Sequence, residues 1–289
     1  MAVFYLFAAA SLWGIIGPIS KVVFAAGFSP LETAFWRGLL AGVAFVVHWL
    51  FKRYPLPTTS KQFAGLIIFG IFGVALLEGS YVYAVHYGGA ALASVLLYSA
   101  PIWVNLLSAI MFKEKIPRRR WIALSMTTAG VVGVCLWGAP AEFSAQGIVW
   151  GLLSGLSYAS FYLAGKIYFQ KINPVVVYMI AFPVGSIAIL PFITSASGLP
   201  LIGIVSNLVN ASSQTILALA SIGILSTYLA YWLYSKGLQL VDTGKAAIIT
   251  MVEPLVSVTL AGIMFGEVFT PAGYISAALV ICGVTLAIK

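Results

Sequence analysis

Ten long apolar runs divide the sequence, and each can form a helix that crosses a lipid bilayer. A bilayer core is about 30 Å thick, and roughly 20 helical residues cross it. Only 8% of the residues are charged and 62% are hydrophobic. A soluble domain carries about a quarter charged residues, so that class is excluded. The runs cover residues 2–26, 31–51, 62–86, 90–112, 119–138, 146–169, 174–195, 213–235, 244–265 and 271–288.

The runs are apolar on all faces, which is typical of helices buried in lipid. Strands of a membrane β-barrel would instead alternate apolar and polar residues over about ten positions. The sequence therefore predicts an all-α integral membrane protein with ten transmembrane helices, whose surroundings are the lipid bilayer.

Basic residues collect on one side of the predicted membrane. Ten spans place both termini on one side, here called side A, and the opposite side is side B. All Lys and Arg except Lys21 and Arg37 lie toward side A, which is 13 of 15. The positive-inside rule then predicts that side A and both termini are cytoplasmic. The net charge of +8 is an orientation signal, and no nucleic-acid partner is expected.

A motif of 17 residues occurs twice in the sequence. Residues 98–114 read YSAPIWVNLLSAIMFKE, and residues 251–267 read MVEPLVSVTLAGIMFGE. Pro254 follows Pro101 by 153 residues (254 − 101). The motif ends in Glu114 in its first copy and in Glu267 in its second.

This repeat predicts two halves, residues 1–138 and residues 145–289. Each half has five spans, and because five is odd the second half crosses the membrane upside down relative to the first. Basic residues follow the first copy of the motif and are absent after the second, as expected if the copies end on opposite sides. Inverted repeats recur in secondary transporters, whereas the alternative is a duplicated bundle with no transport role.

Pro101 and Pro254 lie about halfway along their spans. Proline removes one ladder hydrogen bond, and its ring clashes with the carbonyl four residues earlier. The carbonyls of Leu97 and Thr250 would be freed, and such groups are tolerated only beside protein or a water-filled cavity. Matched broken helices in two halves indicate a central binding site. The alternative is a pair of kinks covered by neighbouring side chains.

Ionisable and aromatic residues within the spans complete the predicted site. Glu253 and Glu78 lie deep, where a carboxylate in lipid indicates function or a structural hydrogen bond. Arg37 could pair with an acidic residue such as Glu32. Many tyrosines lie too deep for an interfacial belt, and each is either a cavity wall or packing. The candidate cavity residues are Trp13, Glu78, Tyr81, Tyr83, Tyr98, Pro101, Tyr158, Tyr162, Tyr228, Tyr231, Glu253 and Pro254.

Enzymes and channels lack support in the sequence. It has neither an H-E-x-x-H nor a G-x-S-x-G motif, and its two histidines, His48 and His86, are predicted on opposite sides of the membrane. No filter-like loop or ring of charges is present. No enzymatic activity, metal site or cofactor is therefore expected.

Two five-span halves, each with a proline followed 13 residues later by glutamate, resemble the drug/metabolite transporter superfamily and its EamA-type exporters. Phe35-Trp36-Arg37 is similar to the arginine that the family carries near the start of span 2. The resemblance covers essentially the whole chain. It implies a bacterial inner-membrane exporter of amino acids, aromatic and other neutral ones foremost, and of related metabolites, working by alternating access.

Other members of the superfamily carry drugs, nucleotide sugars and sugar phosphates. A phosphate would need a cation in the cavity, and only Lys21, Arg37 and Lys166 could serve. None of them is clearly central, which disfavours anionic solutes. Proton coupling through Glu253 or Glu78 and downhill uniport both stay open. Pairs of small residues such as Gly38 and Gly42 are interpreted as packing within the bundle, so a monomer is expected.

Overall fold

The computed structural model describes residues 1–136, 144–197, 201–265 and 270–288. Within them, nine helical segments are long and apolar enough to cross a bilayer. They are spans 1 to 4 (Ala2–Ala25, Pro30–Lys52, Ser60–Gly89, Leu92–Phe112) and spans 6 to 10 (Ala145–Tyr168, Pro174–Thr194, Ser213–Leu238, Thr243–Met264, Pro271–Ile288).

Span 5 is the helix Arg118–Leu136, which packs along span 10. Its first turn carries three arginines, and their charge lowers its mean hydropathy below that of the other spans. With this helix, the predicted architecture of ten membrane helices is confirmed. The predicted boundary between the halves and the motif residue Glu267 lie outside the described residues.

The repeat is visible in the helix boundaries. Thr59 caps the start of span 3 with its side-chain oxygen, and Ser212 caps the start of span 8 in the same way. The two caps are 153 residues apart, the interval of the sequence motif. The same interval separates further helix starts, at Ala100 and Glu253 and at Arg118 and Pro271.

Spans 3 and 8 also contain π-helical stretches at matching places. The stretch in span 3 is Gly70–Ala75, and the stretch in span 8 is Ser221–Leu229. A π-helix has more residues per turn than an α-helix, so it changes which side chains share a face. Such segments are rare, and they are frequent at functional sites.

Both helices break at the predicted prolines. In span 4 a turn at Tyr98 and Ser99 separates two α-helical segments, and the second begins at Ala100. In span 9 a 3-10 turn over Thr250–Val252 precedes the helix that begins at Glu253. Because proline has no N–H to donate and its ring clashes with the preceding turn, the regular ladder cannot continue through either site.

The two halves are interlocked. Span 1 packs on spans 8 and 9 of the other half, and span 6 packs on spans 3 and 4. Span 2 packs on span 7, and span 5 on span 10. These principal contacts all cross between halves, so neither half buries its packing faces alone.

The first span of each half covers the helix break of the other half. A Cβ on Gly155 in span 6 would meet the Ser99 hydroxyl, and it would lie 2.5 Å from the Leu96 carbonyl oxygen. A Cβ on Gly14 in span 1 would lie 2.9 Å from the Glu253 carbonyl oxygen. Glycine is required at both contacts because backbone meets backbone there.

A short helix, Leu201–Val209, lies between spans 7 and 8 on side B. Residues 196–212 lie between two of the predicted spans and carry no charge, so no helix was predicted there. Ile204 is buried against the ends of spans 2 and 7. The Asn207 side-chain amide donates to the Glu32 carboxylate at 3.1 Å, which ties this helix to span 2.

Replacing Gly155 with Ala should destabilise the protein, because the added methyl overlaps backbone that cannot move away. Overpacking of this kind costs roughly 1–3 kcal/mol. Thermal unfolding of the purified protein in detergent measures the effect. Gly79→Ala is the matched control, since among the described residues no atom outside the local helix backbone lies within 4 Å of its added Cβ. Equal unfolding temperatures for the two variants would contradict the packing described for Gly155.

Candidate solute site between the two helix breaks

Glu253 places a carboxylate at the break of span 9, inside the bundle. The Tyr158 hydroxyl from span 6 donates to its Oε2 at 3.3 Å, and the Tyr98 hydroxyl at the break of span 4 lies beside the same carboxylate. A carboxylate inside a membrane protein needs such donors, because no bulk water solvates it there. The breaks of both halves thus meet at one acidic group.

Arg37 and Glu78 form an ion pair next to this carboxylate. The Arg37 guanidinium is also within electrostatic range of Glu253. Glu32, the partner suggested from the sequence, instead accepts the hydrogen bond from Asn207. The charged groups around the site are therefore two carboxylates and one guanidinium, and the ion pair leaves Glu253 as the carboxylate without a salt bridge among the described residues.

Polar groups lie on the side B half of the site. The side chains of Arg37 and Glu78 are partly exposed, at 19% and 18%. Nearer side B, the Tyr81 hydroxyl and the Ser94 hydroxyl are 3.2 Å apart. Polar groups of spans 2, 3 and 4 are therefore found between Glu253 and side B.

A layer of four rings closes the site toward side A. This tyrosine layer consists of Tyr162, Tyr178, Tyr231 and Tyr234, and each ring is at most 8% exposed. Tyr162 and Tyr234 have ring centroids 5.4 Å apart, as do Tyr178 and Tyr231. Trp13 from span 1 packs on the layer, with its centroid 5.0 Å from Tyr231.

The position of the layer follows from the chain direction. Spans 6 and 8 run from side B to side A, and Tyr162 and Tyr234 lie in their second halves. Span 7 runs the other way, and Tyr178 lies in its first turns. The layer therefore lies between Glu253 and side A.

Several polar atoms in this packed region have no hydrogen-bond partner among the described residues. They are the indole N–H of Trp13 and the hydroxyls of Tyr178 and Tyr234. Tyr162 differs, because its hydroxyl lies 2.6 Å from the Thr250 hydroxyl. Burying an unpaired hydroxyl costs free energy, and phenylalanine would fill the same space without that cost.

Ion pairs join the two halves at the side A surface. Lys166 at the end of span 6 pairs with Glu114, the glutamate of the first motif copy. Arg120 at the start of span 5 pairs with Asp242 at 2.9 Å. Both pairs connect residues of opposite halves, so they strengthen closure on the side where the tyrosine layer lies.

Most of the predicted site residues lie around Glu253, and two do not. Tyr83 stacks on Trp150 with ring centroids 5.1 Å apart. The Tyr228 hydroxyl is 3.0 Å from His48 Nδ1 on a lateral face of the bundle. Tyr228 belongs to the π-helical stretch of span 8.

Tyr178 and Tyr234 were not among the cavity residues predicted from the sequence. A signal for Tyr234 was present, because it lies three residues after Tyr231 and so shares a helix face with it. It also lies 153 residues after Tyr81, a residue that was included. No comparable signal marks Tyr178, whose role depends on which spans pack together.

The model of the EamA-like transporter family matches residues 1–136 and again residues 145–289. The chain belongs to this family. Each match covers one half, so the family's repeat coincides with the repeat seen in the motif and in the helix boundaries. The membrane protein described above is accordingly a multi-pass transporter.

Similar proteins support this family membership over nearly the full length. An uncharacterized transporter of Archaeoglobus fulgidus is 28% identical over 94% of this chain and 92% of its own length. A Salmonella typhimurium protein named as a probable amino-acid metabolite efflux pump is 28% identical over 94% of this chain and 89% of its own. One solved crystal structure superposes with a TM-score of 0.81 at 19% identity, covering 99% of this chain and 96% of that one, which shows the fold.

Tyr234→Phe should leave the stability of the protein unchanged or raise it, because it removes a buried hydroxyl that has no hydrogen-bond partner among the described residues. Tyr162→Phe in the same layer should lower the free energy of unfolding by roughly 1 kcal/mol, because it removes a hydrogen bond. Thermal unfolding in detergent compares the two variants. Equal destabilisation by both would show that the Tyr234 hydroxyl has a partner in the folded state.

Proposed function

We propose that this transporter exports amino acids, aromatic and other neutral ones foremost, and related metabolites from the cytoplasm by alternating access. The observation that carries the proposal is the meeting of both helix breaks at Glu253, between aromatic walls and beside Arg37. A relative named as a probable amino-acid metabolite efflux pump supports the same solute class.

The charges at the site suit an amino acid that carries both an ammonium and a carboxylate. The ammonium group would lie against Glu253, which has no salt bridge among the described residues. The solute carboxylate would bind Arg37 in place of Glu78, because guanidinium binds carboxylates through two parallel hydrogen bonds. Tyr98 and Tyr158 lie beside Glu253 and offer ring faces to the ammonium group and to the side chain of the solute.

The same charges disfavour anionic solutes such as sugar phosphates. Arg37 is the cation of the site, and it already faces Glu78 and Glu253. Lys166 is engaged with Glu114 at side A, away from the break. A phosphate would bring two further negative charges to a site that already holds two carboxylates. Cationic drugs are the second candidate class, favoured by the unpaired carboxylate of Glu253 and the surrounding rings.

The inverted repeat supports alternating access. The tyrosine layer and the ion pairs lie toward side A, so we take the described conformation as closed on that side. Exchanging the conformations of the two halves would close side B and open side A around the same carboxylate. With side A cytoplasmic, as the positive-inside rule predicts, the described conformation is the one that releases an exported solute.

Counterflow in proteoliposomes tests the solute class. Vesicles preloaded with one neutral aromatic amino acid should accumulate labelled amino acid from outside in a saturable way. Tyr98→Ala should raise the concentration for half-maximal exchange roughly tenfold, since loss of one ring contact to a bound ammonium costs on the order of 1–2 kcal/mol.

Tyr83→Ala is the matched control, because Tyr83 is also partly exposed and lies on Trp150 away from Glu253. Glu253→Gln should abolish any dependence of the flux on a pH gradient if Glu253 carries the proton. Exchange of a cationic drug or a sugar phosphate, with none of any amino acid, would overturn the proposed solute class.

A further inference from the structure

A groove of about 530 Å³ runs between spans 2 and 8 on the lateral face of the bundle. Span 2 lines it with Leu40, Ala44, His48 and Lys52, and span 8 lines it with Ile224 and Tyr228. Beyond Tyr228, span 8 continues along the groove with Trp232, whose ring centroid lies 6.4 Å from that of His48. Lys236 follows, with its ammonium over the Trp232 ring. Two parallel stripes of residues therefore border the groove.

In both stripes the type of side chain changes in the same order from the membrane interior toward side A. Leu40 and Ile224 are apolar, and one turn or more beyond them the Tyr228 hydroxyl is 3.0 Å from His48 Nδ1. Each stripe then ends in a lysine. The Lys236 ammonium lies 5.6 Å from the centroid of the Trp232 ring, and the ammonium groups of both Lys52 and Lys236 act electrostatically on His48.

The two lysines have no acidic group within their stripes. The acidic residues described at the side A surface are Glu114 and Asp242, and both are engaged with other cations. Lys52 and Lys236 are exposed, and they lie where spans 2 and 8 leave the membrane. That is the depth of phospholipid phosphate groups.

We propose that this groove binds one anionic phospholipid of the side A leaflet. An acyl chain lies along Val43, Val47 and Ile224, and the phosphate lies between Lys52 and Lys236. The His48–Tyr228 pair lies at the level of the glycerol esters, which accept hydrogen bonds. Charge complementarity selects an anionic lipid over a zwitterionic one, because a choline headgroup would bring its own cation to the two lysines.

This site is independent of the proposed solute. The two sites share helices, because span 2 carries Arg37 and span 8 carries Tyr231. A lipid held between these spans adds contacts where the described protein has a gap.

Native mass spectrometry of the detergent-solubilised protein tests the proposal with phosphatidylglycerol and phosphatidylcholine of the same acyl chains. The expected result is one tightly retained phosphatidylglycerol per protein. Near a membrane surface each lysine contributes about fivefold in affinity for anionic lipid. The double variant Lys52→Gln/Lys236→Gln should therefore lose roughly 25-fold, whereas Lys61→Gln/Lys171→Gln, with the same change in charge, should lose little.

A second variant tests the acyl-chain part of the site. Val43→Trp fills the groove from a side chain that is 53% exposed, so it changes the lateral surface rather than the core. It should release phosphatidylglycerol although both lysines remain. Glycerol phosphate, which has no acyl chain, should not compete. Equal retention of the two lipids, equal loss in the two lysine double variants, or displacement by glycerol phosphate would each overturn the proposal.

Discussion

A proline in the middle of a membrane helix frees backbone carbonyls that lipid cannot solvate, and the rest of this structure depends on covering them. Each break is covered by the first span of the opposite half, through backbone contact at Gly14 and at Gly155. The same two spans carry Trp13 and Tyr158 within one turn of those glycines, and these rings meet beside Glu253. Covering the breaks therefore both interlocks the halves and assembles the site.

The electrostatics follow from the same arrangement. Glu253 begins the helix after its break, so the carboxylate is held where two halves meet rather than at a membrane surface. Arg37 and Glu78 come from spans 2 and 3 and pair with each other, so Glu253 has no salt bridge among the described residues. The hydroxyls of Tyr98 and Tyr158 lie against its carboxyl group. Under the proposed function this carboxyl group exchanges one cationic group at a time, either an ammonium or a proton.

Features that depend on local chemistry could be predicted from the sequence. The apolar runs predicted the membrane spans, and the two mid-span prolines predicted both helix breaks. Features that depend on packing could not be predicted. Arg37 pairs with Glu78 rather than Glu32 because span 3 lies beside span 2 at that depth. The Tyr228 hydroxyl meets His48 because spans 8 and 2 pack together, which no local sequence pattern indicates.

Thiol labelling at Ser94 and Ala247 tests alternating access most directly, because these residues lie 153 positions apart in the two halves. Ser94 lies near the side B end of span 4, beside Tyr81. Ala247 lies near the side A end of span 9, and its side chain is 0% exposed. The two native cysteines, Cys135 and Cys282, are first replaced by Ala. An impermeant maleimide should then label Ser94→Cys from side B and leave Ala247→Cys unlabelled from side A. Saturating solute should reverse both reactivities together. Simultaneous labelling from both sides, or no reciprocal change, would contradict alternating access.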